Sequence, residues 1–314
     1  MSESLVSVVI PLFNKEKYIS STLKSVIAQD YRNIELILVD DGSTDHGYEL
    51  ACQMLKDNQH RFKRVVTISK ANNGQAAARN EGIAQAHGDY VALLDADDVW
   101  VPKKLRKQVE VLDLNPTINL VLCNYVMLFS GAWRAKAVSL RPLDKKIKSW
   151  LLTTGYGAGL ESTGLLRRSS FRTEHVFDPG LQMCGGLDLT FRLVQAKSVL
   201  CLKEYLCGYR IVGGGWHTNK NDLLKSFRHL LGIKDIYSYY APKIEVNLMI
   251  HLRLWELRNK PTYSTTLEFF SLLLSHPVST SLYLLSTMRR VLVAQLRGIS
   301  NFSEVKNLHR LIQG

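Results

Sequence analysis

Over the N-terminal third of the chain, short, nearly continuous apolar runs alternate with stretches whose apolar positions recur every three or four residues. The runs are residues 6–10, 34–39, 65–69 and 90–94, and the periodic stretches that follow them are 18–29, 47–57, 75–86 and 103–112. A recurrence of three or four marks one face of a helix, whereas a short continuous run rich in Val, Ile and Leu marks a strand covered on both sides. The alternation therefore predicts an α/β fold: a Rossmann-like, doubly wound, mostly parallel sheet with helices on both faces. Local punctuation agrees. Pro102 stands at the first position of one predicted helix, Gly88 just past the end of another, and Asn72-Asn73-Gly74 makes a turn. From 120 to 210 the pattern is mixed, with glycine-rich turns at 155–159 and at Gly185-Gly186. Beyond Trp216 it becomes helical, so two regions are expected, a sheet-based domain over 1–215 and a helical region over 216–314.

Composition narrows the class. With 314 residues, 46% apolar and 22% charged, the chain lies in the globular range. Its five cysteines are odd in number and scattered, with neither a paired spacing nor a neighbouring histidine cluster, so a disulfide framework and a structural zinc site are not expected and a reduced, cytoplasmic setting is. The start has no basic segment and no long apolar segment of the signal-peptide kind. The uncharged stretch 269–288 holds His276, Pro277 and seven Ser/Thr residues, which suits a packed or interfacial helix better than a membrane span. Net charge is +12, and from Asn221 onward twelve Lys/Arg face six Asp/Glu among Trp, Phe, Tyr and Leu. No nucleic-acid-binding signature accompanies that charge. Peripheral contact with the inner membrane face is therefore expected, not nucleic acid, with a plain solvated basic face as the alternative.

In open α/β sheets ligands gather at the carboxyl ends of the strands, and the chemistry-bearing residues fall there. The run 90–94 leads straight into Asp95-Ala96-Asp97-Asp98. Three carboxylates on one turn repel one another unless something positive joins them, and Mg²⁺ or Mn²⁺ takes such oxygens together with waters and substrate phosphates. A second acidic turn, Asp40-Asp41-Gly42-Ser43-Thr44-Asp45, follows 34–39. One of its carboxylates either meets a base or ribose, or Asp45 or Ser43 simply caps the next helix. Pro11 fixes the chain leaving the first strand, and Phe13 offers either a ring for base stacking or core packing. Arg79, one turn into the alanine-rich helix after Gly74, either meets phosphate or pairs with an aspartate of the acidic turns.

Four segments in register, Ser7-Val8-Val9-Ile10-Pro11-Leu12-Phe13-Asn14-Lys15, Val39-Asp40-Asp41-Gly42-Ser43-Thr44-Asp45, Asn73-Gly74-Gln75-Ala76-Ala77-Ala78-Arg79-Asn80 and Leu93-Leu94-Asp95-Ala96-Asp97-Asp98, resemble family 2 glycosyltransferases of the GT-A fold. The resemblance is strong over about 5–115 and weaker to about 215. It implies an inverting enzyme that moves a sugar from a nucleoside-diphosphate donor, a UDP-sugar in this reading, to a hydroxyl of a glycan or lipid-linked acceptor in surface polysaccharide or glycan biosynthesis. Carried over by position, it implies that Pro11, Phe13, Asp40 and Asp41 meet the nucleoside. Arg79 would lie near the pyrophosphate or Asp97, and Asp95 with Ala96 at the ribose or donor sugar. Asp97 and Asp98 would hold the Mg²⁺ or Mn²⁺, with His217, beside the Gly213-Gly214-Gly215 hinge of a mobile segment, as a further ligand.

One motif departs from the family. Where an acidic pair precedes Asp-Leu and a later Arg-Leu, this chain reads Cys184-Gly185-Gly186-Leu187-Asp188-Leu189-Thr190-Phe191-Arg192-Leu193. A general base must reach the attacking hydroxyl, which glycine cannot do. Asp188 is the first candidate and Glu161 the second, while a helix cap is the alternative role for Asp188. Loss of the pair also leaves room for a silent nucleotide-sugar binder.

Overall fold

The computed structural model describes residues 3–129, 135–138, 160–171, 176–181, 185–186, 188–189 and 198–212. The expected helical region after 216, its boundary, and His217 with its neighbouring glycines lie outside these residues.

The predicted alternation is present as β1 (Val6–Leu12), α1 (Glu16–Ile27), β2 (Ile34–Asp40), α2 (Gly47–Asp57), β3 (Arg64–Ser69), α3 (Gln75–Ala84), β4 (Tyr90–Leu93) and, after the short strand β5 (Val99–Trp100), α4 (Lys104–Leu114). Then come β6 (Leu120–Phe129), β7 (Ala135–Val138), the single turn α5 (Leu160–Thr163), β8 (Leu165–Arg167) and β9 (Val199–Ile211). The strands form one sheet in the order β3-β2-β1-β4-β8-β6-β9-β5, with β7 beside β6.

The first four strands are parallel, with Val6 opposite both Ile34 and Tyr90. The sheet turns mixed at β8, which runs antiparallel to both β4 and β6, while β9 is parallel to β6 and β5 antiparallel to β9. The expectation of a mostly parallel sheet thus holds for the N-terminal half. Beyond it the pairing is mixed, and among the described residues the regular strand–helix alternation that carried the prediction does not continue.

Every residue of β1, β2 and β4 is buried, as continuous apolar runs require. Side chains alternate across the sheet, so Val6, Val8 and Ile10 join Ile19 and Leu23 of α1 and Leu105 and Leu112 of α4 in one core. Val9, Ile37 and Val39 join Ala78 and Ile83 of α3 in the other. Helix α3 lies very close to β1. A Cβ on Gly82 would stand 2.3 Å from Val9 Cγ1, so glycine is what allows this approach. Edge strand β3 is only partly buried.

Because chain order runs outward from β1 to β2 and β3 on one side and resumes with β4 on the other, the sheet has its switch point between β1 and β4. A crevice at the carboxyl ends of these strands is where such sheets bind ligands.

Candidate functional site

The loops leaving β1 and β2 interlock. Asn14 Oδ1 accepts from the Thr44 amide at 2.8 Å, and the Asn14 amide donates to Ser43 Oγ at 3.1 Å. Asp45 caps two helices at once, its carboxylate accepting from the first amides of α1 (Glu16, 2.9 Å) and α2 (Gly47, 3.0 Å). That settles the structural role open to it in the sequence. Beside them Pro11 is buried, and Phe13 is 45% exposed, so its ring is not core packing.

Asp40 ends β2 and accepts from the Ser43 amide and the Ser69 hydroxyl. Asp41 is buried and accepts from Lys70 Nζ at 2.7 Å, the Asn73 amide at 3.0 Å and the Gly74 amide at 2.9 Å. It therefore fixes the loop that starts α3, where Gly74 holds φ at 88°, a backbone that glycine adopts without strain. Lys70 was not singled out in the sequence, although it directly follows β3.

The acidic turn after β4 is tied down on every side. The hydroxyl of Thr22 on α1 donates to the carbonyls of Ala96 and Asp98, at 2.9 and 2.8 Å, and the Asp95 amide donates to Ser162 Oγ. Its three carboxylates have different fates. Asp95 accepts from Arg79 Nη2 at 2.7 Å and Gln75 Nε2 at 3.2 Å. Asp97 accepts from Lys15 Nζ at 2.6 Å and keeps a side chain 14% exposed. Asp98 is fully enclosed, with one oxygen on the Arg210 amide at 2.8 Å and Oδ2 without a partner among the described residues. Burial, then the charges of Asp97 and Asp95, hold the Asp98 carboxyl well above its ordinary pKa. Burial likewise raises Asp97, against the pull of Lys15.

Arg79 is 4% exposed and stands between two acids, with Nη2 on Asp95 and Nη1 on Glu161 Oε1 at 3.2 Å. Its guanidinium carbon lies 5.3 Å from the Phe177 ring centre. Burial disfavours its charge, but Asp95 and Glu161 outweigh that and raise its pKa. The pairing with an aspartate expected as one alternative is thus present, and it extends to Glu161 on α5. That short turn is anchored where Trp100 Nε1 donates to the Ser162 carbonyl at 2.7 Å. Asp188 is buried in the neighbouring segment, next to Leu189 of the second core.

Of the carboxylates expected to hold a metal, only Asp97 presents an accessible oxygen. Among the described residues no group of three or more His, Cys, Asp or Glu could hold an ion unaided. This donor set suits a hard cation held by one carboxylate plus ligand phosphates, as Mg²⁺ commonly is, and does not suit an all-protein cage. Lys15 occupies the other side of Asp97 meanwhile. Its signal in the sequence was its place directly after Asn14 in the first-strand motif.

Residues 7–172 match the family model described as "Glycosyl transferase family 2". The chain belongs to that family. Its curated glycosyltransferase relatives include an uncharacterized protein of Nostoc sp., 40% identical over 116 residues, which are 37% of this chain and 35% of that one. Another, from Rickettsia conorii, is 38% identical over 295 residues, covering 86% of this chain and 44% of the relative. A Haemophilus influenzae relative is matched over 59% of its length, so this family 2 chain spans between about a third and three-fifths of these proteins.

Solved structures confirm the GT-A fold. The mannosyltransferase PcManGT of Pyrobaculum calidifontis, in complex with GDP-Man and Mn²⁺, superposes with a TM-score of 0.61 at 17% identity, over 98% of this chain and 88% of that one. Residues 1–349 of S. aureus TarS in complex with UDP-GlcNAc superpose at 0.58 and 18% identity, over 86% and 79%. The family match ends at 172, so it contains Glu161 and leaves Asp188 and His217 outside.

Proposed function

We propose that the chain is an inverting glycosyltransferase that carries a sugar from a nucleoside-diphosphate sugar to an acceptor hydroxyl at the carboxyl edge of β1, β2 and β4. The observation that carries this reading is the convergence, in a family 2 chain, of Phe13, Asp41 and the Asp95–Asp98 turn on the switch point of the sheet, with Arg79 buried between Asp95 and Glu161. Phe13 and Pro11 flank the base, with Asp40 and Asp41 forming the loop that receives it. Asp95 and Ala96 meet the ribose or donor sugar, and Arg79 sets the position of Asp95. Asp97 holds Mg²⁺ or Mn²⁺ together with the donor's phosphates, with His217 as a further ligand. Asp98 supports the turn from behind through the Arg210 amide. When bound there, the cation would offset the negative charge of the departing diphosphate.

A UDP-sugar is the proposed donor. UDP-GlcNAc is bound in TarS and GDP-Man in PcManGT, so both bases belong in the test. The acceptor is a glycan or lipid-linked hydroxyl at the cytoplasmic membrane face, reached by a peripheral protein. Among the described residues no helix is long and apolar enough to cross a membrane. Titration calorimetry of UDP and GDP with Mn²⁺ tests the nucleotide reading. Saturable binding of UDP, tighter than GDP and weakened by EDTA, is expected, and absence of binding to either nucleotide would sink it.

A further inference from the structure

The described residues place a carboxylate where the family's acidic pair is missing. By the family resemblance Gly186 falls at one position of that pair, and Glu161 reaches it from elsewhere in the chain. A Cβ on Gly186 would lie 2.5 Å from Glu161 Oε1, 2.7 Å from Oε2 and 2.7 Å from the carboxyl carbon, all closer than a real Cβ approaches. The Gly186 amide also hydrogen-bonds to the Glu161 carboxylate. Neither an aspartate nor a glutamate fits at 186 while Glu161 is where it stands, and Glu161 could not stand there over any side chain. Glycine at 186 leaves the Glu161 carboxylate room to sit directly on the backbone there.

Location and chemistry fit the missing role. Arg79 joins Glu161 to Asp95 through its two terminal nitrogens, so the Glu161 carboxylate is one guanidinium away from the residue assigned to the donor sugar. Glu161 is partly exposed, whereas Asp188 is buried. An acid must be reachable to meet an acceptor hydroxyl, directly or through one water.

We infer that Glu161, seated over Gly186 and oriented by Arg79, is the catalytic base of this chain. This deepens the glycosyl-transfer reading and rests on it. As the acceptor oxygen forms its bond to the anomeric carbon, Glu161 takes the acceptor's proton. The bond from that carbon to the diphosphate oxygen breaks, and the nucleoside diphosphate leaves with the electron pair. Removing a well-placed general base costs about 10²–10⁴-fold in rate.

The test compares the full chain with Glu161→Gln, Glu161→Asp and Asp188→Asn. The donors are UDP-GlcNAc and GDP-mannose with Mn²⁺, nucleotide release to water or glycan acceptors is followed, and UDP and GDP affinity is measured in parallel. Glu161→Gln should lose at least about 100-fold in kcat with donor KM and nucleotide Kd within a few fold, and Glu161→Asp should recover part of it. Kept nucleotide binding shows that the variant is folded. Retention of kcat in Glu161→Gln, or its loss in Asp188→Asn alone, overturns the assignment. A wild-type chain that binds nucleotide but consumes neither donor overturns it as well, leaving the nucleotide reading intact. A chain that binds neither nucleotide instead refutes the broader proposal.

Discussion

At the residue scale, the three acids after β4 illustrate how one motif divides into separate tasks. The turn crowds three carboxylates together, yet Asp98 is enclosed, Asp95 is engaged by Arg79 and Gln75, and Asp97 is partly exposed with the Lys15 ammonium at 2.6 Å as its partner. Lysine is a flexible, strongly hydrated point charge, so it can yield Asp97 to a divalent ion when a diphosphate arrives. Asp97→Ala should therefore lower donor turnover by about 100-fold or more and abolish its response to Mn²⁺, read as nucleotide release against metal concentration. Unchanged turnover in that variant, or full wild-type turnover in EDTA, would remove the metal from the reaction. The carboxyl-end location of these residues was legible in the sequence because a buried strand leads straight into them. How the three acids divide their partners was not, because that depends on Thr22, Ser162 and Arg210, far away along the chain. Glu161 was visible only as a spare acid. Its pairing with Arg79 and Gly186 is a contact between segments that no local pattern encodes.

At the element scale, the helix and strand alternation up to α4 was readable because β1, β2 and β4 are buried on both faces and each helix shows one apolar stripe. The later strands β8 and β9 were not, since β8 has three residues and β9 is only partly buried, leaving neither a continuous run nor a clean alternation. What locks the readable elements together includes a buried acid that periodicity does not reveal. Glu35 on β2 accepts from the Ser7 hydroxyl of β1 at 2.6 Å, from the His87 and Gly88 amides after α3 at 2.6 and 3.1 Å, and from Arg64 of β3 at 3.2 Å. Burial alone would raise its carboxyl pKa, but these donors together outweigh it and lower the pKa below 4.5. A lowered folded pKa means that the ionised form stabilises the fold above the unfolded value and that this contribution disappears as pH falls through the folded one. Glu35→Gln should cost about 1–3 kcal/mol near neutral pH, because four donors lose a charged acceptor. The gap from wild type should close as the buffer is taken below pH 4.5, the ordinary value of the group. Urea denaturation midpoints at both pH values provide the check, and a gap that is the same at each would contradict the assignment.

At the scale of the whole molecule, a soluble nucleotide-sugar donor has to meet an acceptor whose carrier, in the proposed function, is a lipid or a growing glycan at a membrane. In that proposal the sequence after Asn221 would draw the protein there, with an excess of six positive charges interleaved with aromatic and leucine residues. Basic residues near an anionic bilayer contribute about 1 kcal/mol each, so an excess of six is enough for reversible attachment even when only part of it reaches the surface. Attraction of this kind is screened by salt, since the Debye length falls from about 8 Å at 0.15 M to ~3 Å at 1 M, whereas insertion of apolar side chains is not. The full chain should float with vesicles containing phosphatidylserine at low salt and stay behind with neutral vesicles. Raising the salt should release most of it. A chain ended at Asn221 that still binds UDP with Mn²⁺ should no longer float. Flotation that survives this truncation would move the membrane contact to the sheet domain, and flotation on neutral vesicles at high salt would show that apolar insertion, not charge, brings the enzyme to its acceptor.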